Sequence, residues 1–215
     1  QATEPLNGSN QPIGFAARVE ISDLTMRNGS VTGNGSEGVG GAIRAMGRDS
    51  VKVTRVNFVG NSATRGAAIA GNGAAGDLPN PEGPAGDFIV DASAFSGNSA
   101  SSGGTVEFMR YQRNATGAVV RNSSFYGNTS LRTLNFDFSN GQSIGNSFVS
   151  NNSMGNGALY GGATILVQGN VLAQSDPSAI MCPPFLPIGS DSISTSACGT
   201  THNGTNVTVS SWANM

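Results

Sequence analysis

The stretches Ser124-Phe125-Tyr126-Gly127-Asn128 and Ser147-Phe148-Val149-Ser150-Asn151 both read aromatic-x-x-Asn, and their Asn residues lie 23 positions apart. A repeat at a period of roughly 20 to 50 residues is typical of solenoid proteins, in which each repeat forms one coil. The pattern occurs twice more in full and twice in weaker form, at Phe58 to Asn61, Phe95 to Asn98, Leu24 to Asn28 and Val171 to Gln174.

Apolar residues recur in a constant register after each Asn. Eight positions on lie Ile69, Val106, Phe136 and Leu159, and a further apolar residue follows eight positions later in three coils. Each coil is therefore predicted to hold three short β segments separated by Gly, Asn and Ser corners, stacked on its neighbours at about 4.8 Å with parallel pairing. The predicted fold is an all-β parallel β-helix of about five to six coils; a β-sandwich is the alternative, but it does not require this register.

Four segments are predicted along the chain. Residues 18–174 form the parallel β-helix, residues 1–17 an N-terminal arm or cap, residues 175–199 a Pro-rich cap, and residues 200–215 a C-terminal strand or arm. The cap contains Cys182 and Cys198, for which a disulfide is predicted, with two free thiols as the alternative. A lone His202 and two Cys make no metal ligand set, and no cofactor is predicted.

The glycine-rich corners add a family resemblance. Gly40-Gly41-Ala42-Ile43, Gly103-Gly104-Thr105-Val106 and the Phe-x-x-Asn units resemble the GGAI and FxxN repeats of chlamydial polymorphic outer-membrane proteins, which are autotransporter-like adhesins, and repeat domains of other bacterial surface proteins. The resemblance covers about residues 19 to 174 and implies a right-handed β-helix, a handedness that parallel crossovers also favour. It implies a surface or adhesive role. The autotransporter barrel and an obvious anchor are not found in the sequence.

Composition favours an extracellular protein. Charged residues make up 11% of the chain, the net charge is -2 and Lys52 is the single lysine, so no basic patch for nucleic acid is predicted. No apolar run is long enough to span a membrane. The two cysteines and the many Asn-x-Ser/Thr sequences are typical of secreted or cell-surface proteins.

The Asn residues of the repeat are predicted to stack as an internal amide ladder, because an Asn at a corner can satisfy backbone groups and pass hydrogen bonds to the next coil. Inward-facing side chains are closed to glycans, so Asn28, Asn128 and Asn151 are not expected to be modified. The predicted ladder comprises Asn28, Asn61, Asn98, Asn128 and Asn151, and the glycosylation candidates are Asn7, Asn34, Asn114, Asn203 and Asn206.

An outward column follows the apolar position of the second strand. It is predicted to carry Glu107 and Asp137 in adjacent coils, one step apart. Two such acids suit the acid and nucleophile of a retaining glycosidase, or a calcium site. The other interpretation is a pair of solvated surface acids near Arg110 or Arg132.

The irregular parts of the chain are predicted to carry the function. Arg110, Tyr111 and Arg113 lie in a corner insertion and are candidate contacts for a ligand or partner. Val207, Val209 and Trp212 form a strand pattern that folds back on its own solenoid or joins a neighbouring copy.

The predicted function is a non-enzymatic extracellular structural or adhesive protein. It is predicted to self-assemble head to tail into a homopolymer, as a filament subunit joined through its terminal arms, or to bind surface glycans or cell-surface proteins. The alternatives are a carbohydrate-active β-helix enzyme, either a polysaccharide lyase or a glycoside hydrolase, and a binder of ice or of a regular polymer.

Overall fold

The chain folds as a parallel β-helix, which confirms the predicted fold class. Every strand pairing recorded in the computed structural model is parallel, and pairs form between coils rather than between consecutive strands. Among the described residues, sheet A has six strands, one from each of six successive coils. The structure describes residues 18–34, 37–47, 50–73, 87–109, 118–137, 141–149, 151–153, 159–161, 165–173, 193–194 and 207–208.

Two long sheets carry the first two strands of each coil. Strands are numbered in chain order, and sheet A consists of β1 (Arg18–Ser22), β4 (Ser50–Thr54), β8 (Phe88–Asp91), β12 (Ala118–Arg121), β16 (Gly141–Ile144) and β20 (Ile165–Gln168). Sheet B consists of β2 (Thr25–Arg27), β5 (Asn57–Val59), β9 (Ala94–Ser96), β13 (Ser124–Tyr126), β17 (Ser147–Val149), β21 (Val171–Ala173), β22 (Ile193–Ser194) and β23 (Val207–Thr208).

Two further sheets complete each coil, so a full coil holds a fourth short strand besides the three predicted. The extra strand has two residues and directly follows the Asn corner. Sheet C consists of β6 (Ser62–Ala63), β10 (Ser99–Ala100), β14 (Thr129–Ser130) and β18 (Asn152–Ser153). Sheet D consists of β3 (Ile43–Gly47), β7 (Ile69–Gly73), β11 (Gly104–Met109), β15 (Arg132–Asp137) and β19 (Leu159–Gly161).

Stacked phenylalanines form the centre of the core. Phe58, Phe95, Phe125 and Phe148 follow one another in sheet B, with ring centroids 4.8, 4.6 and 4.7 Å apart and planes within 8° of parallel. These spacings match the distance between paired strands, so identical side chains in register stack face against face. Alternation in the strands then directs Val51 and Val53 inward and Lys52 outward.

The corner between sheets A and B is left-handed in all six coils. Residues Asp23, Arg55, Ala92 and Asn122 hold φ between 48° and 58°, and the last two coils use Gly145 and Gly169 at 61°. A left-handed conformation costs an L-residue about 1 to 2 kcal/mol relative to glycine, least for Asn and Asp. Four coils therefore accept local strain to keep the corner in register.

Replacing Ala92 with glycine is expected to raise the free energy of unfolding by about 0.5 to 1 kcal/mol, because Ala92 is exposed and has a φ of 48°. The matched control is Ala94→Gly in strand β9, which should lower stability by a similar amount. Urea unfolding of the two variants would measure both changes. A destabilised Ala92→Gly protein would contradict the strained corner.

Candidate functional site: an amide ladder and a buried ionic cluster

A ladder of buried Asn side chains runs through four coils. The structure places Asn61, Asn98, Asn128 and Asn151 in line, and each Nδ2 donates to Oδ1 of the next Asn, at 3.0, 2.9 and 2.8 Å. Each receiving Oδ1 also accepts the backbone N–H of the preceding Asn, at 2.9 to 3.1 Å. Each Nδ2 donates in addition to a backbone carbonyl in the previous coil. The ladder thus satisfies polar backbone groups at a corner that water does not reach.

Asn28 lies outside this ladder, so its predicted place there is wrong. Met26 takes the position of the aromatic residue in the first coil, and the ladder position three residues later is therefore Gly29. The Gly29 N–H donates to Oδ1 of Asn61 over 2.9 Å. Asn28 is exposed, with a φ of 58°, at the left-handed corner that Gly60 occupies in the next coil.

A second ladder, which the sequence interpretation missed, runs two residues before the Phe column. Ser93, Ser123, Asn146 and Asn170 are all buried. Their side-chain oxygens accept backbone N–H groups from the previous coil, beginning with Val56, at 2.9 to 3.2 Å. The ladder was hard to recognise in the sequence because its residue type changes from Ser to Asn. The available signal was that Asn146 and Asn170 each lie two residues before the central residue of a sheet B strand.

The two predicted outward acids are not one step apart in a single column. Glu107 pairs with Asn135, whereas Asp137 lies two residues further along β15. Leu134 occupies the apolar position that was assigned to Phe136. The corner before β15 is two residues shorter than in the neighbouring coils, which shifts the register of the strand.

Arg65 nevertheless joins both acids. Its Nε donates to Glu107 Oε1 at 2.9 Å, its Nη2 contacts the same oxygen, and Nη2 also donates to Asp137 Oδ2 at 2.9 Å. The Glu107 side chain has 0% exposure, against 34% for Arg65 and 24% for Asp137. Because the three residues belong to successive coils, the guanidinium links three levels of the solenoid.

The remaining hydrogen-bonding capacity of Glu107 is filled by its own strand and by the next coil. Asn135 Nδ2 donates to Oε1 at 3.0 Å, and the Gly104 N–H donates to Oε2 at 3.0 Å. A Cβ at Gly103 would overlap Oε2, which explains the glycine that precedes this strand. Arg65, Glu107, Asn135 and Asp137 are called the ionic cluster below.

The ionic cluster links three coils through hydrogen bonds between charged groups. Burial would lower the pKa of Arg65, but its hydrogen bonds and ion pairs with Glu107 and Asp137 hold that pKa above the ordinary value. The guanidinium therefore stays charged. A glycosidase acid must reach its substrate, and Glu107 has no exposed surface and accepts hydrogen bonds at both oxygens. The geometry does not favour Glu107 as a catalytic acid.

Two further ion pairs lie at the left-handed corner between sheets A and B. Arg55 contacts Asp23 through two hydrogen bonds of 2.6 and 2.7 Å. In the next coils Arg121 donates to Asp91 at 2.8 Å, and Asn122 donates to the other oxygen at 3.0 Å. Both carboxylates thus bridge consecutive coils at the surface.

Acidification is expected to remove the contribution of Asp91 to stability. Burial alone would raise the pKa of Asp91, but hydrogen bonds from Arg121 and Asn122 hold it below the ordinary 3.8. A depressed folded-state pKa stabilises the protein above the unfolded value, and this stabilisation is lost as pH falls through the folded pKa. Near neutral pH, Asp91→Asn should therefore cost up to about 1 kcal/mol, and the cost should shrink as the pH falls below 3.8 and through the folded-state pKa. Urea unfolding of both proteins would check this, and a difference independent of pH would contradict it.

Several predicted residues lie outside the described part of the chain. These are the corner contacts Arg110, Tyr111 and Arg113, the pair Cys182 and Cys198, the residues Val209 and Trp212, and the glycosylation candidates Asn7, Asn114, Asn203 and Asn206. Val207 is described and pairs with Ile193, so β23 extends sheet B of its own chain. Asn34 is described and exposed.

Among the described residues, no three side chains of His, Cys, Asp or Glu come together as a group that could hold a metal ion. In the same part of the chain, no helix has the length and hydropathy needed to cross a bilayer.

Site and fold together define a parallel β-helix with polar ladders and a buried ionic cluster. Comparisons with protein-family models, curated proteins and solved structures found no match. The resemblance to polymorphic outer-membrane proteins stays a prediction.

Proposed function

We propose that this chain is a non-enzymatic structural or adhesive protein of the cell exterior whose solenoids associate end to end. The observation that carries the proposal is the burial of Glu107. The residue best suited by sequence to acid catalysis has 0% side-chain exposure and is held by Arg65, Asn135 and the Gly104 N–H. The Glu107 carboxylate binds groups of its own and the neighbouring coils, which supports a structural role over a catalytic one.

The first coil supports end-to-end association. In the described part of the chain, which begins at residue 18, Val19 and Leu24 continue two inward-facing columns, and each is 40% exposed. In the next coil the same columns hold Val51 at 4% and Val56 at 0%. An apolar column that remains exposed at the end of a stack is covered when another coil adds to it. We therefore assign the association surface to the end of the first coil.

We propose contact between end faces rather than exchange of a C-terminal arm between subunits. The pairing of β23 with β22, and of β22 with β21, within one chain supports this form, because exchange would require β23 to leave that sheet. Contact between end faces needs no such exchange. A head-to-tail contact of this kind is heterologous and propagates without closing, as in a filament.

Purified protein examined by size-exclusion chromatography with light scattering and by negative-stain electron microscopy tests the proposal. We expect concentration-dependent oligomers or filaments. Val19→Lys should reduce assembly, since a charge would enter the exposed column. The matched control is Val59→Lys, because Val59 is 39% exposed but faces outward from β5, which is paired on both sides within sheet B. A wild-type protein that stays monomeric at all concentrations would overturn end-to-end association.

A further inference from the structure

Five Asn-x-Ser/Thr sequences begin at an Asn that the structure describes, and their environments differ sharply. They begin at Asn28, Asn34, Asn122, Asn128 and Asn151. An N-linked glycan attaches to Nδ2 of the Asn, so that atom must be accessible in the folded protein. The residues after Asn34 lie outside the described part, and that sequence is not argued further.

Asn128 and Asn151 cannot carry a glycan in the folded chain. Both are buried ladder residues. Nδ2 of Asn128 donates to Asn151 Oδ1 at 2.8 Å and to the Phe95 carbonyl at 3.0 Å. Nδ2 of Asn151 donates to the Phe125 carbonyl at 2.9 Å. A saccharide on either atom would break the ladder.

Asn122 is exposed but engaged. Its Nδ2 donates to Asp91 Oδ1 at 3.0 Å, beside the ion pair between Asp91 and Arg121. Glycosylation there would compete with a contact that links two coils. Although Asn122 is exposed, its Nδ2 is therefore not free to accept a glycan without loss of this hydrogen bond.

Asn28 has the open environment that the others lack. It is exposed at a left-handed corner, and within the described part of the chain its side chain makes no hydrogen bond. At the same corner in the next coil, a Cβ added to Gly60 would meet only Asn28 Oδ1, and in later coils a Cβ added to Gly97 or Gly127 would meet nothing within 4 Å. The column beside Asn28 therefore faces open space. The acceptor hydroxyl of the sequence, on Ser30, belongs to an exposed residue and is 3.0 Å from Ser62 Oγ.

We propose that Asn28 is an N-glycosylation site, with Asn28-Gly29-Ser30 as its acceptor sequence. The donor is a saccharide on a lipid pyrophosphate: Asn28 Nδ2 bonds to C1 of the first sugar, the bond from C1 to the pyrophosphate oxygen breaks, and Nδ2 loses one proton. The inference rests on the proposed extracellular function, because the chain must meet such a donor during export. The first turn of the solenoid would then carry a solvated oligosaccharide at its corner.

Folded protein from a host without N-glycosylation can be incubated with a single-subunit oligosaccharyltransferase and a lipid-linked oligosaccharide, then mapped by glycopeptide mass spectrometry. We expect modification of Asn28 and none of Asn128 or Asn151, whereas denatured protein should be modified at all three. Asn28→Gln and Ser30→Ala should each abolish the Asn28 signal, and Asn122→Gln should preserve it.

Absence of modification at Asn28 in the folded protein would overturn the proposal, whether or not the denatured chain is modified there. The assembly experiment described above uses protein without glycans, so the two proposals fail separately. Filaments without an Asn28 glycan would refute only the site. Glycosylation of a strictly monomeric protein would refute only the association.

Discussion

An Asn98→Ala variant is expected to lose about 3 to 5 kcal/mol of folding free energy, because one substitution removes several buried hydrogen-bonding groups. Asn98 Oδ1 accepts both the backbone N–H and the Nδ2 of Asn61, at 2.9 and 3.0 Å. Its own Nδ2 donates to the Phe58 carbonyl and to Asn128. Truncation orphans the Asn61 N–H and the Phe58 carbonyl at a corner without water access. Urea unfolding followed by circular dichroism would measure the loss.

The matched control for this prediction is Asn57→Ala. Asn57 is the first residue of β5, four residues before Asn61, and its side chain faces solvent. Its loss should therefore change stability by no more than about 0.5 kcal/mol. Asn98→Asp separates shape from hydrogen bonding, since it keeps the volume and replaces a donor with a buried charge. Equal and small effects for Asn98→Ala and Asn57→Ala would show that the ladder does not hold the coils.

Removing Glu107 is expected to have an effect of similar size. Glu107→Ala should cost about 3 to 5 kcal/mol, because it leaves the half-buried Arg65 with one partner and orphans the Asn135 amide and the Gly104 N–H. Asp137→Asn should cost much less, since the Asp137 side chain is 24% exposed, whereas that of Glu107 is 0% exposed. Chemical denaturation of the two variants would establish the order.

The double variant Arg65→Met with Glu107→Leu tests whether the cost comes from an unpaired charge. Replacing both members of a buried ion pair with apolar residues is often near neutral. We therefore expect the double variant to be more stable than Glu107→Ala by more than about 1 kcal/mol. If the double variant is less stable than Glu107→Ala, the pair contributes more to stability than the avoidance of an unpaired buried charge.

The period of the chain was predictable because one coil supplies a strong local signal. Phe125 and Phe148, each three residues before an Asn, define the shortest coil. Because the coils stack in register, the two rings lie one above the other, and so do the Asn side chains that follow them. Where the aromatic residue is replaced, as by Met26, the register cannot be read from chemistry. The interpretation then placed Asn28 in the ladder, although Asn28 occupies the glycine corner one residue earlier.

The ionic cluster was beyond sequence reasoning for a geometric reason. Arg65 reaches Glu107 across 42 residues and Asp137 across 72, and these separations depend on how many residues each corner absorbs. A corner shorter by two residues puts Leu134 rather than Phe136 in register and moves Asp137 along its strand. The Gly103-Gly104 pair was the available local signal, because it leaves space for a buried carboxylate next to the backbone.

Native-state hydrogen exchange at single-residue resolution tests most directly the claim that these polar groups form the framework. The backbone N–H groups of Asn61, Asn98 and Asn128, which donate to the ladder, and of Gly104, which donates to Glu107, are the informative probes. We predict that all four exchange only through global unfolding, with the free energy and denaturant dependence of the whole domain. Exchange of these groups through small local openings, insensitive to denaturant, would contradict the account.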